Sequence, residues 1–254
     1  MKMLAALALL LTLARPAMAD DAALFALYAK GDYAAAMRQG EAARNATGYA
    51  LAARAAMADA VLHDRPCMPC LQNAERLARA AVAADPKLPD GQTWLAVSLG
   101  YQARVLGIVR ARLRDLPGQA KVALDAAVAD DPADPYAISA LGGWHLEVVK
   151  GGGPFLARTL YGATMAQAMA LFDRAAKLAP GNVAVRYLIA QTLAGYDPDA
   201  YRARIAQELD AALQAHANTA YERVQQARAA ELKTLLGASR PAFDARVRQF
   251  QGYP

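Results

Sequence analysis

Ala74-Glu75-Arg76-Leu77-Ala78-Arg79-Ala80-Ala81-Val82-Ala83-Ala84-Asp85-Pro86 decides the fold, because its pattern returns twice, from Ala120 to Pro132 and from Ala168 to Pro180. Each copy has Ala at its first and eighth positions (Ala74/Ala81, Ala120/Ala127, Ala168/Ala175) and Pro at its thirteenth. Alanines seven apart share one helix face and let a neighbouring helix approach closely. The proline ends the helix: it lacks the amide donor and biases the residue before it away from helical angles. Between the two alanines lies a variable position, Ala78, Leu124 or Phe172.

Three residues after each proline a new helix is expected, at Pro89, Pro135 and Val183. Proline suits a first helical position, where its missing donor would be unpaired in any case. Each new helix carries a large-then-small pair at equivalent depth: Leu95-Ala96, Leu141-Gly142 and Ile189-Ala190. Lys30-Gly31-Asp32-Tyr33 with Ala36 and Ala43 supplies the turn and second helix of a further unit at the N-terminal side. Ala43, Ala81, Ala127 and Ala175 are spaced 38, 46 and 48 apart, against about 34 for a tetratricopeptide repeat. The Pro-x-x-Pro joints keep their length, so the extra residues fall between the two helices of a repeat. These insertions are His63–Cys70, Leu106–Leu116 and Lys150–Thr164, all on one edge of the stack. The abundance of Ala and scarcity of β-branched residues favour helix throughout. The expected fold is all-α: a tetratricopeptide-like solenoid of about five helical pairs, with C-terminal helices over about 199–250 capping its last apolar face.

The chain opens with a secretory pattern. Lys2 precedes an apolar run from Leu4 to Leu13, and Ala17-Met18-Ala19 is a small-x-small cleavage site. The expected domains are a signal peptide over 1–19 and one repeat domain over 20–254. The alanine-rich, bacterial style of the signal predicts a periplasmic location. The mature chain is expected to have no transmembrane segment, since no later stretch is long and apolar enough. Of 28 basic side chains, loss of Lys2 and Arg15 leaves 26 against 23 acids. So mild an excess, scattered among acids along helices, argues against nucleic acid as a partner.

Few motifs suggest chemistry. Cys67-Met68-Pro69-Cys70 holds the only two cysteines. In an oxidising compartment the pair is expected to form a disulfide. It reads either as a local staple or as a redox site before a helix N-terminus, where thiol pKa values fall. Leu71 rather than His after Cys70 excludes haem attachment, and His63 alone does not complete a metal site. His145, in Trp144-His145-Leu146-Glu147, has no assignable nucleophile or base partner and reads as a structural, buried histidine. Gly151-Gly152-Gly153-Pro154 lacks the Lys-Ser/Thr of a phosphate loop and reads as a flexible break. No enzymatic activity, cofactor or metal is expected.

Trp94-Leu95-Ala96-Val97-Ser98-Leu99-Gly100-Tyr101 with Gly107, Ala140-Leu141-Gly142-Gly143-Trp144-His145, and Leu160-Tyr161-Gly162-Ala163-Thr164 running on to Ala168 and Phe172 resemble three blocks of the regulator-of-microtubule-dynamics family over roughly residues 74–194. That resemblance implies a tetratricopeptide-like helical domain without known chemistry. The cytoskeletal role of its animal members is not carried over to a chain with an export signal. A looser similarity is to accessory subunits of periplasmic substrate transporters. By tetratricopeptide register, the first helix of each pair lines a concave groove. The residues this implies are Thr93, Val97 and Tyr101, then Tyr136, Ser139, Gly143 and Glu147, then Tyr187 and Gln191. The expected function is a non-enzymatic periplasmic scaffold for a protein or peptide partner. The alternatives are solute binding for a transporter or, more remotely, thiol-disulfide exchange.

Overall fold

A computed structural model of the chain describes residues 17–62 and 67–254. The expected export signal lies largely in 1–16, outside the described residues, as do residues 63–66 of the first insertion. The described residues form thirteen helices and no strand. Five antiparallel pairs follow one another: α1 (Ala17–Lys30) with α2 (Tyr33–Ala42), α3 (Ala46–Leu62) with α4 (Met68–Ala84), α5 (Pro89–Leu106) with α7 (Leu116–Asp130), α8 (Pro135–Tyr161) with α9 (Met165–Leu178), and α10 (Val183–Tyr196) with α11 (Arg202–Gln214). The short α6 (Ile108–Leu113) lies within the third pair. Two further helices, α12 (Ala220–Ala238) and α13 (Arg240–Phe250), complete the chain.

The helices start and stop where the prolines predict. Pro89 and Pro135 open α5 and α8, and Val183 opens α10. Asp134 and Asn182 cap the latter two by accepting from the amides of Tyr136 (2.8 Å) and Val185 (3.0 Å), which satisfies donors that a helix start leaves unpaired. All six repeated alanines are buried, as are Ala78, Leu124 and Phe172 between them. The backbones of α2 and α3 approach closely at their crossing. A Cβ on Gly40 would lie 2.5 Å from the Gly48 carbonyl oxygen, and one on Gly48 2.6 Å from that of Gly40. Only glycine at both positions permits this crossing.

Two parts of the architecture differ from expectation. Gly151–Pro154 is no loose break but a kink within α8. Gly153 takes φ 74°, ψ 161°, a region open to glycine, and Pro154 begins a second helical run at a first-turn position suited to it. The C-terminal helices also do more than cap. Helix α11 covers α10, with buried Glu208 held between Arg186 (2.8 Å) and Arg204 (2.6 Å). Helix α12, started by a Thr219/Glu222 capping box, turns back and bridges the last repeat to the first. Its Ala220 meets the Gly31 turn, and Tyr221 packs beside the Tyr28/Tyr33 cluster. Arg228 donates to the Val61 carbonyl (2.8 Å) at the end of α3. Its other face, through Ala229 and Leu232, joins a core with Phe243, Val247 and Phe250 of α13.

Candidate functional site

The first helices of the middle repeats, α5, α8 and α10, present one side to a shared concavity, because the repeat sets them at the same angle. The returning C-terminal segment roofs it. What remains is a cavity of about 480 Å³, walled by α5, α6, α7, both runs of α8, α10, α12 and the chain end. Seven of the nine groove residues implied by register line it: Val97, Tyr101, Tyr136, Gly143, Glu147, Tyr187 and Gln191. The other two do not. Ser139 is fully buried and its hydroxyl donates to the Tyr136 carbonyl one turn back (2.9 Å). Thr93 is likewise buried within its own repeat. Both side chains are buried against neighbouring helices instead of facing the concavity.

One end of the cavity is apolar, with Leu99, Ala111, Leu116, Ala120, Leu124, Leu156, Ala157 and Leu160 in its wall. The other end is polar and is organised by the chain terminus. Glu147 accepts from Tyr253 Oη (2.6 Å) and from Arg104 Nη2 (3.1 Å), and Arg104 also donates to the Gln251 carbonyl (3.1 Å). Gln251 in turn donates to the Gln191 carbonyl (2.8 Å). The Tyr253 ring lies against three cations, Lys150 at 4.7 Å, Arg248 at 5.3 Å and Arg104 at 5.8 Å, within the range where a ring quadrupole attracts charge. Burial disfavours the Arg104 cation, but Glu147, Tyr101 and Tyr253 together outweigh it and hold the guanidinium pKa above its ordinary value. Burial, then the Glu147 charge, push the Tyr253 phenol up. Both groups keep their ordinary protonation at neutral pH.

Four cavity-lining side chains have a buried polar atom with no hydrogen-bond partner among the described residues: Tyr187 Oη, Gln191 Nε2, Gln225 Oε1 and Gln251 Oε1. Unpaired buried donors and acceptors are costly, so these side chains could gain from a ligand that hydrogen-bonds. At the N-terminal margin of the concavity, Arg54 lies over the rings of Tyr28 (4.6 Å) and Trp94 (5.6 Å), and Trp94 stacks on Tyr136 (5.3 Å).

The other motifs are resolved one by one. His145 is 3% exposed, and its Nδ1 accepts from the Thr164 amide (3.4 Å). Burial, aided by Lys121, lowers its pKa to about 4, so the neutral ring is a packing and capping residue. Cys67 and Cys70 form a close pair, Cα–Cα 5.2 Å, with Cys67 as N-cap of α4. His63 lies outside the described residues.

Register did not reveal the contributions of Arg104, Lys150, Tyr221, Gln225, Arg248, Gln251 and Tyr253. Nor did it reveal that two insertions are copies. Gly107-Ile108-Val109-Arg110-Ala111-Arg112 and Gly153-Pro154-Phe155-Leu156-Ala157-Arg158 align 46 residues apart. Gly107 (φ 77°, ψ 164°) and Gly153 (φ 74°, ψ 161°) share one backbone conformation, and Ala111 and Ala157 are both buried. The Gly-x-x-x-Ala-Arg repeat was the available signal.

Among curated proteins no match is found. The family model described as Regulator of microtubule dynamics protein 1-3 matches residues 27–237, spanning the repeats, the duplicated insertions and nearly all of α12, and the chain belongs to that family.

Proposed function

We propose that this chain is a non-enzymatic binding scaffold of the periplasm, and that its ligand is a small organic molecule with an apolar body and one hydrogen-bonding end. The observation that carries this reading is the roofed cavity of about 480 Å³ with unpartnered polar atoms on four of its lining side chains. Its size and apolar lining match small-molecule sites. An open solenoid groove would suit an extended peptide, but here the chain's own α12 and terminus occupy that path. The Cys67–Cys70 pair is read as a structural disulfide that fixes the start of α4, remote from the cavity.

The test uses anilinonaphthalene sulfonate, whose fused rings and single anionic group fit the proposed chemistry. Gly100 lines the cavity and faces open space, since a Cβ there would find no atom within 4 Å. Gly100→Leu should therefore fill the cavity without displacing a helix. It should abolish the saturable, one-site component of dye binding while leaving the helical circular dichroism unchanged. Undiminished one-site binding in that variant would sink the cavity reading.

A peptide partner remains a second reading, favoured by one observation. The terminal Gln251–Tyr253 lies in the concavity through a handful of hydrogen bonds, as a bound peptide end would. On that reading, removal of residues 251–254 should increase capture of peptides from a library ending in Tyr-Pro. On the small-molecule reading it should weaken retention of the dye.

A further inference from the structure

We propose that the edge formed by the two duplicated insertions attaches the protein to the surface of an anionic lipid bilayer. Among the described residues nine large apolar side chains are exposed, and six of them fall in these two short segments: Ile108, Val109, Leu113, Phe155, Leu156 and Leu160. Val109, Leu113 and Phe155 are 74, 82 and 78% exposed. The segments adjoin, since a Cβ on Gly151 would lie 3.7 Å from Ile108 Cγ1. Each is anchored from below by its buried alanine, Ala111 or Ala157, so the opposite side of each short helix is bare. A contiguous apolar patch on a protein surface marks an interaction site.

The charge around the patch selects the partner. Five basic side chains, Arg110, Arg112, Arg114, Lys150 and Arg158, accompany one acid, Asp115. None of the four arginines forms an ion pair among the described residues. Protein interfaces deplete charge at their apolar centre. Here arginines interleave with the apolar residues along the same helices. Apolar side chains that enter the acyl boundary while arginines meet anionic headgroups are the pattern of interfacial helices. The positive φ at Gly107 and Gly153 turns each insertion off the axis of its parent helix, which lets both stand out on one edge. The patch borders the cavity, since Ile108, Leu156 and Leu160 also line it, but Val109, Arg110, Leu113, Arg114 and Phe155 do not, so variants at these five positions test the surface alone.

The full chain should be sedimented with vesicles of phosphatidylcholine mixed with phosphatidylglycerol and, separately, of phosphatidylcholine alone. Binding should occur to the mixed vesicles and weaken as salt is raised. Leu113→Ser with Phe155→Ser should reduce it by about tenfold or more. Arg110→Gln with Arg114→Gln should reduce it about 25-fold, at roughly fivefold per charge. All four positions are exposed, so the helical signal should be unchanged. As a second readout, Phe155→Trp should show blue-shifted emission on the mixed vesicles. Failure of the native chain to bind them, equal binding to pure phosphatidylcholine, or indifference to the serine pair would each overturn the proposal. So would concentration-dependent dimerisation abolished by the serine pair in a chain that ignores vesicles, which would assign the patch to a second copy.

Discussion

The two halves of the solenoid are held together by opposite means. Around α2–α5 the buried positions are mostly small: Gly40 and Gly48 at the crossing, then Ala52, Ala53, Ala56, Ala60, Ala74 and Ala78. From α8 onward they are mostly large: Ile138, Phe172, Tyr187, Ile189, Leu193, Ile205, Leu209, Phe243 and Phe250. The repeat pattern is the same in both, but its variable position changes from Ala78 through Leu124 to Phe172. In the first half, stability rests on how closely backbones approach, so added atoms are harmful. In the second it rests on filled volume, so removed atoms are harmful.

The sharpest way to break this contrast is to remove volume from the second half. Phe172→Ala should cost about 3–5 kcal/mol in chemical denaturation, because a fully buried ring leaves a cavity its neighbours cannot close. A loss below the cost of a surface change would mean the C-terminal core is not volume-limited.

The junction between the halves carries a pH signature. His145 titrates near 6.5 in the unfolded chain and at about 4 when folded. The folded state thus prefers the neutral ring. Its contribution is complete above about pH 6.5 and is lost progressively as pH falls to about 4, by up to about 3 kcal/mol. Unfolding midpoints measured across that window should drop less steeply in His145→Gln, whose side chain can still accept from the Thr164 amide.

Adding volume to the first half is the converse test. Gly40→Ala should destabilise by about 1–3 kcal/mol, since its Cβ meets a backbone oxygen that cannot rotate away. A neutral outcome would mean that α2 and α3 separate freely. The smallest effect is expected at the first insertion. Cys67→Ser with Cys70→Ser should cost about 0–2 kcal/mol, because so short a loop loses little entropy on closure. Turnover by the native chain in an insulin-reduction assay would overturn the structural assignment of that pair.

Much of this was legible in the residues themselves. The Ala-Ala-Pro segments give helix ends, pairing and register, and register alone brings Val97, Tyr101, Tyr136, Gly143, Glu147, Tyr187 and Gln191 to one concavity. Local signals suffice because each repeat contacts mainly its neighbours. The return of α12 was not legible. Ala229, Leu232, Phe243 and Val247 make ordinary amphipathic helices, and nothing in their spacing says which surface they cover. For the same reason the roof of the cavity, from Tyr221 to Tyr253, was missed. The kink at Gly153 was half legible: glycine and proline mark a break, but only packing of Ala157 decides that helix resumes at once.

Helix α12 also changes what kind of folding unit this is. In an open solenoid the terminal repeats fray on their own, and stability propagates from neighbour to neighbour. Here the Arg228 guanidinium joins the Val61 carbonyl across 167 residues of chain, and Tyr221 ties the first repeat to the middle ones. Such a clasp forms only after most of the chain is ordered, so it raises contact order and slows the final folding step. Once formed, it links the opening of either end to the opening of the whole. Amide protons of α3 and α10 should then exchange through one shared event rather than along a gradient from the ends.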